Sequence, residues 1–209
     1  FLRREIFGGS FENHLTTDDQ TKLVLNTYQE LLNKSYSLVD LPQMERIIQI
    51  LTSKERIYVY GRGSSGLAAE EICFRFMRIG LNIVAITDNE IMRMNTVIIS
   101  EDCAVIGISV SGKTAEVINS LRESKNQGAA TILMTSNKDR SFQEFCDEIL
   151  LFAVKEHLEN GKAISPQFPI LVMLDLLYSR LLESDKYRRE ALHEYTLNVI
   201  NLPKEKIRT

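Results

Sequence analysis

The chain has 209 residues, 44 % of them hydrophobic, and a formal net charge of −3. That apolar content suits one sizeable core and leaves two independent domains cramped, while the missing excess of Lys and Arg excludes a chain that grips DNA by itself. No apolar run approaches the ~18 residues of a membrane span and no charged-then-apolar leader precedes the fold, so a soluble cytoplasmic protein with no membrane partner is expected.

The first stretch, "FLRREIF", reads as the tail of something that begins upstream, and "FGGSFENHLTT" over 7–17 reads as a linker. Two amphipathic segments follow, at about Thr17 to Ser35 and Leu41 to Leu51. Asp40 stands at the cap of the second, with Pro42 just inside it. Apolar runs rich in branched residues then recur at 56–60, 82–86, 103–109, 130–135 and 148–154. They read as buried strands. Helical patterns at 65–80, 89–98, 114–128 and near 141–145 separate them. This alternation predicts an α/β fold: a three-layer α/β/α sandwich on a five-stranded parallel sheet of flavodoxin-like order 2-1-3-4-5, preceded by N-terminal helices. After the last strand, "ISPQFPILVMLDLLYSRLLES" is strongly apolar, with Pro166 and Pro169 suited to its first turn. "KYRREALHEYTLNVINL" is amphipathic and ends before Pro203. Residues 17–203 are thus expected to form the domain, 1–16 a linker or remnant and 204–209 a tail.

Cys73, Cys103 and Cys146 are odd in number, widely separated and set in apolar runs. They read as buried thiols of a reducing compartment, with no metal site.

Two loops carry the candidate chemistry. "GRGSSG" (61–66) fits the dinucleotide fingerprint G-x-G-x-x-G, and "GISVSGKT" (107–114) fits the triphosphate pattern G-x-x-x-x-G-K-[ST]. For a dinucleotide, the pyrophosphate would rest on the helix starting near Ser65 and Asp88 would accept from the ribose, which leaves Ser109, Ser111 and Thr114 without a task. For a triphosphate, Gly107 falls inside an apolar strand, so the loop is too short to wrap the phosphates, and no later strand ends in a magnesium-holding Asp. A third reading uses every residue. In the expected strand order the first and third strands are neighbours, and two helix starts converge on one point. Ser64 and Ser65 on one side, with Ser109, Ser111 and Thr114 on the other, supply neutral donors for a phosphate, and Gly61, Gly63 and Gly112 permit close approach of the backbone. A monophosphate with a small polar body fits this nest, and no cofactor is required.

"YGRGSSGLAAEEICFRFMRIGLNIVAITD" followed by "DCAVIGISVSGKTAEVINSLRESKNQGAATILMTSN" resembles the SIS (sugar isomerase) domain, above all the version that forms the effector domain of RpiR-type bacterial transcriptional regulators. The resemblance spans about Thr52 to Leu182. It implies a phosphosugar site in which Ser65 takes the place of the first-loop serine, and Ser109, Ser111 and Thr114 match the second-loop S-x-S-G-x-T. It also implies a DNA-binding helix-turn-helix domain upstream, absent from this chain, of which "FLRREIF" would be the end. Where such regulators often carry an arginine shortly after the serine of the last helix, this sequence reads "ISPQFPI", with Gln167.

Single-domain SIS proteins also include phosphosugar isomerases, which need a general base. The candidates are Glu156 with His157, His193 with Glu194, and Glu70 or Glu71; each is read more simply as a loop or helix-surface group, so a sensor with no catalytic residue is preferred. A regulator reading a palindromic operator calls for two-fold symmetry, hence a homodimer or higher homo-oligomer.

Overall fold

Branched side chains on both sides of a strand can be buried only if both faces of the sheet are covered. In the computed structural model, which describes residues 17–154 and 164–201, the covered strands are β1 (Arg56–Gly61), β2 (Ile83–Ile86), β3 (Cys103–Ile108), β4 (Ala130–Thr135) and β5 (Glu148–Leu151). All pair in parallel, in the expected order β2-β1-β3-β4-β5. The helices are α1 (Thr17–Ser37), α2 (Leu41–Ser53), α3 (Ser64–Arg78), α4 (Asn89–Asn95), α5 (Ala115–Asn126), α6 (Phe168–Ser184) and α7 (Lys186–Ile200).

Strand side chains alternate between two cores. Ile57, Val59, Ile106 and Ile132 meet Ile47, Phe76 and Leu174 from α2, α3 and α6. Tyr58, Tyr60, Val105 and Leu133 meet Met92, Val117 and Leu121 from α4 and α5. The apolar run of α6 is core: Ile170, Met173, Leu174, Leu177 and Leu181 are all buried. α1 caps this layer, with the Tyr28 ring edge-on to Phe168 at a centroid distance of 4.5 Å.

Several expected boundaries move. β5 stops at Leu151; the Phe152 N–H still donates to Thr135 O of β4 at 3.1 Å, and from Ala153 the chain leaves the sheet, its N–H donating to Ser35 Oγ of α1. The helix expected over 89–98 closes at Asn95 and tightens into a 3-10 turn, Thr96–Ile98. Asp40 occupies the cap position of α2 with Pro42 in the first turn, yet its carboxylate makes no capping hydrogen bond. Pro169 lies in the first turn of α6, with Pro166 ahead of it. α7 is expected to be amphipathic, but its one buried residue is Arg189, whose guanidinium donates to Ile79 O at the end of α3; Val199 and Ile200 are exposed. A cation suits the carbonyl end of a helix, so this contact anchors α7. The remnant over 1–16, Glu156, His157 and Pro203 lie outside the described residues.

Cys103 and Cys146 are buried, Cys73 is half-buried, and all three are free. Burial, with Asp147 adding to it, pushes the Cys146 thiol up to about 12, so it is neutral and unreactive at physiological pH.

One buried polar contact ties β1 to α4: the Tyr60 hydroxyl donates to Asn95 Oδ1 at 2.6 Å. Both residues are buried. Tyr60→Phe therefore strands an acceptor in the core and is expected to cost about 1–3 kcal/mol in urea denaturation. The same burial raises the Tyr60 pKa above its ordinary value. This contribution is complete below the unfolded value of about 10 and is lost as pH rises beyond it.

Candidate anion site at the paired serine loops

Parallel pairing sets the site. Gly61 lies opposite Ile108 in the β1–β3 register, so the chain leaves both strands at the same level, and Arg62 and Ser109 begin adjacent loops. This is also where the strand order reverses, the place at which such sheets bind ligands.

The first loop turns at Gly63, with φ 53° and ψ −123°, and Gly63 is the cap residue of α3. No side chain caps this helix. The Ser65 N–H is used within the turn, donating to Arg62 O at 3.0 Å, whereas the Ser64 and Gly66 N–H groups have no partner among the described residues. Ser65 is only 9 % exposed, and its hydroxyl makes no hydrogen bond among the described residues. The Ser65 oxygen is not one of the fully buried polar atoms left without a partner, so it stays reachable from solvent and can meet a ligand. Ser64, beside it, is half-buried.

The second loop is held from within. Ser109, 1 % exposed, donates its hydroxyl to Thr114 Oγ1 at 2.9 Å and accepts from the Thr114 N–H at 3.3 Å. Ser109 is thereby the floor of the loop, and Thr114, as acceptor, keeps its own proton to give outward. Ser111 Oγ accepts from the Lys113 N–H at 3.2 Å, so its proton too is available. Gly112 has φ 68°, and a Cβ there would lie 2.7 Å from Phe142 Cζ and 3.0 Å from Asn137 Cβ. Asn137 donates to Ser111 O at 2.9 Å, and Ser136 Oγ donates to Val110 O at 2.8 Å. α5 starts at Thr114 without a side-chain cap. The Ser111 and Ala115 N–H groups have no partner among the described residues.

The neighbouring crossovers differ. α4 is capped by Asp88, which accepts from the Glu90 and Ile91 N–H groups at 2.9 and 3.0 Å, and the 3-10 turn after β4 is capped by Asp139. An acid at a helix start satisfies the orphan N–H groups and the positive end of the dipole. α3 has no acid at its start, and at α5 the first-turn Glu116 bonds its own backbone N–H, so the Ser64 and Gly66 N–H groups of one helix start and the Ser111 and Ala115 N–H groups beside the other are left for an external anion.

Both nucleotide motifs dissolve into packing. A Cβ at Gly61 would lie 2.4 Å from Ser65 O, and one at Gly66 would lie 3.1 Å from Thr87 Cγ2; these glycines let α3 sit on β1. Asp88, the ribose candidate, is engaged as a cap. Gly107 belongs to β3, where a Cβ would lie 2.5 Å from Leu121 Cδ1, so it serves the seat of α5.

Sequence reasoning missed one ion pair. Arg62 Nη1 of the first loop lies 3.0 Å from Glu116 Oε1 in the first turn of α5. A hydrogen bond with its own backbone N–H, and then the Arg62 guanidinium, hold the Glu116 carboxyl below its ordinary value. Residues distant in sequence give no pairing signal, although an arginine inside a glycine loop marks a site worth inspecting. Of the candidate bases, Glu156 and His157 lie outside the described residues. Glu70 is exposed and Glu71 half-buried on α3. His193 and Glu194 sit on α7, where the adjacent Leu192 packs against Gly80 at the opposite, amino end of the sheet.

The model of the SIS domain family matches residues 50–180. This chain belongs to the SIS domain family. An uncharacterized HTH-type transcriptional regulator of Haemophilus influenzae is 32 % identical over 177 residues, which cover 85 % of this chain and 60 % of the relative. The chain thus spans about 60 % of that relative's length. Among solved structures, the Vibrio vulnificus NanR protein complexed with ManNAc-6P has a TM-score of 0.81 at 23 % identity, covering 90 % of this chain and 71 % of that one. The sugar isomerase domain of the RpiR transcription factor from Sphaerobacter thermophilus has a TM-score of 0.77 at 16 % identity, covering 85 % and 98 % respectively. These likenesses bear out the SIS-type fold.

Gly61→Ala drives a Cβ into backbone that cannot yield, and is expected to cost about 2–3 kcal/mol in chemical denaturation. An effect below ~0.5 kcal/mol would show that the contact between β1 and α3 is loose.

Proposed function

We propose that this chain is the ligand-sensing domain of a transcriptional regulator, that it binds a sugar phosphate, and that DNA binding belongs to a helix-turn-helix segment outside the chain. The observation that carries the reading is the pair of uncapped helix starts, α3 and α5, opening beside each other on adjacent strands. The phosphate takes the Ser64 and Gly66 N–H groups and the Ser65 hydroxyl from one loop. From the other it takes the Ser111 and Thr114 hydroxyls and the Ser111 and Ala115 N–H groups, with Ser109 orienting Thr114. Regulators among the relatives support the sensing role, and a sugar phosphate bound to a protein of the same fold supports the ligand class.

The location is proposed as cytoplasmic; among the described residues no helix is long and apolar enough to cross a membrane. The assembly is proposed as a homodimer, supported by the exposed stripe of Ile91, Met94, Val97 and Ile98 on α4 and the turn after it. A dimer can report ligand only if its two arrangements bind the sugar phosphate with different affinity.

An isomerase would need a base near the sugar carbons. Glu70 and Glu71 remain open to that role, and steady turnover of a sugar phosphate that vanishes on Glu71→Gln would replace the sensor reading with the enzymatic one. The binding test is a thermal-shift panel of sugar phosphates: a ligand at 100 times its Kd adds about 2.7 kcal/mol. Ser65→Ala with Ser111→Ala is expected to abolish that shift while leaving the unliganded melting temperature within a few degrees, since each lost hydrogen bond to a charged acceptor is worth about 1.5–3 kcal/mol. Unchanged binding in the double variant would put the pocket elsewhere.

A further inference from the structure

The hydroxyls and backbone N–H groups of the paired loops are neutral donors, and each loop also carries one cation, Arg62 in the first and the exposed Lys113 in the second. One fixed charge there is of the wrong sign, because Glu116 stands in the first turn of α5, at the helix start that would receive the phosphate. A dianion brought beside a carboxylate is repelled unless a cation lies between them. That cation is present and already engaged: Arg62 reaches from the first loop to Glu116 at 3.0 Å, with 45 % of its side chain and 30 % of that of Glu116 exposed. Arg62 cannot drift far, since its carbonyl accepts from the Ser65 N–H and the loop turns next at Gly63.

Resting on the reading of these loops as a phosphate site, we propose that Arg62 is a binding residue of that site and that Glu116 is its resident competitor, a carboxylate that holds the guanidinium until a phosphate takes it over. The exchange is favourable in direction. A half-exposed pair contributes little by itself, whereas a guanidinium gives a phosphate two parallel charge-assisted hydrogen bonds. Glu116 then works as a filter. A dianionic phosphate that also fills the hydroxyl ring displaces it; a monoanionic carboxylate of similar size, no better a partner for Arg62 than Glu116 already is, does not. The same exchange frees the Glu116 side chain at the start of α5, so ligand binding changes a charge contact between the two loops as well as filling the space between them.

The alternative role for the pair is a staple that merely holds the two loops together, and affinity measurements separate the two. Isothermal titration of the chain with inorganic phosphate, and with the sugar phosphate giving the largest thermal shift, is carried out on four proteins: wild type, Glu116→Gln, Arg62→Met and Arg62→Lys. Glu116→Gln is expected to tighten binding by about two- to fivefold, the scale of an exposed charge pair. Arg62→Met is expected to weaken it by about tenfold or more, as loss of a charged hydrogen-bond partner does, with Arg62→Lys between the two. The gain from Glu116→Gln should shrink in the Arg62→Met background and at high salt. Both side chains are partly exposed, and unliganded melting temperatures check that each variant is folded. Wild type that binds while Glu116→Gln binds equally or more weakly overturns the competitor and leaves the phosphate site standing. Wild type that binds no phosphate or sugar phosphate overturns both.

Discussion

The in-register parallel pairing of β1 with β3 is the constraint from which the rest follows. Because Gly61 faces Ile108, two crossovers start side by side and two helices direct their amino ends at one volume. A one-residue slip would turn Tyr60 and Val105 from one core to the other and every neighbour with them, so the two hydrophobic layers fix the register and the register fixes the site. Packing energy here determines where the polar loops stand.

The glycines around the site serve that packing. Gly61 and Gly66 let α3 approach β1, Gly107 lets α5 approach β3, and Gly112 leaves room for Phe142 and Asn137. With the backbone so close, the helix starts could have been closed by acids, as Asp88 and Asp139 close theirs. Instead α3 starts with the hydroxyls of Ser64 and Ser65, and α5 starts behind those of Ser111 and Thr114, with Glu116 in its first turn paired to Arg62.

Much of this was legible in the sequence, for identifiable reasons. Strands as apolar as 103–108 admit few other readings, and small polar residues directly after them mark helix starts, so the sheet order and the two loops were open to inference. The hydroxyls of the two loops are visible in the sequence by type, but their hydrogen bonds are not: nothing in the spacing says that Ser109 is engaged with Thr114 while Ser111 accepts from the Lys113 N–H. Asp88 looked like a ribose acceptor because strand-end acids and helix caps share one sequence signature. α7 misled because an alternation of apolar and charged residues promises a buried face, whereas its anchor is the cation Arg189 on a carbonyl end of α3. The Arg62–Glu116 pair was invisible, since only the three-dimensional register brings the two residues together.

The central claim is that one phosphate is held by both loops at once. Backbone amide resonances followed by NMR during titration with a sugar phosphate test it most directly. The account predicts that the amides of Ser64 and Gly66 and those of Ser111 and Ala115 move together, along curves that share one dissociation constant. Movement confined to one loop, or two loops titrating with separate constants, would contradict it.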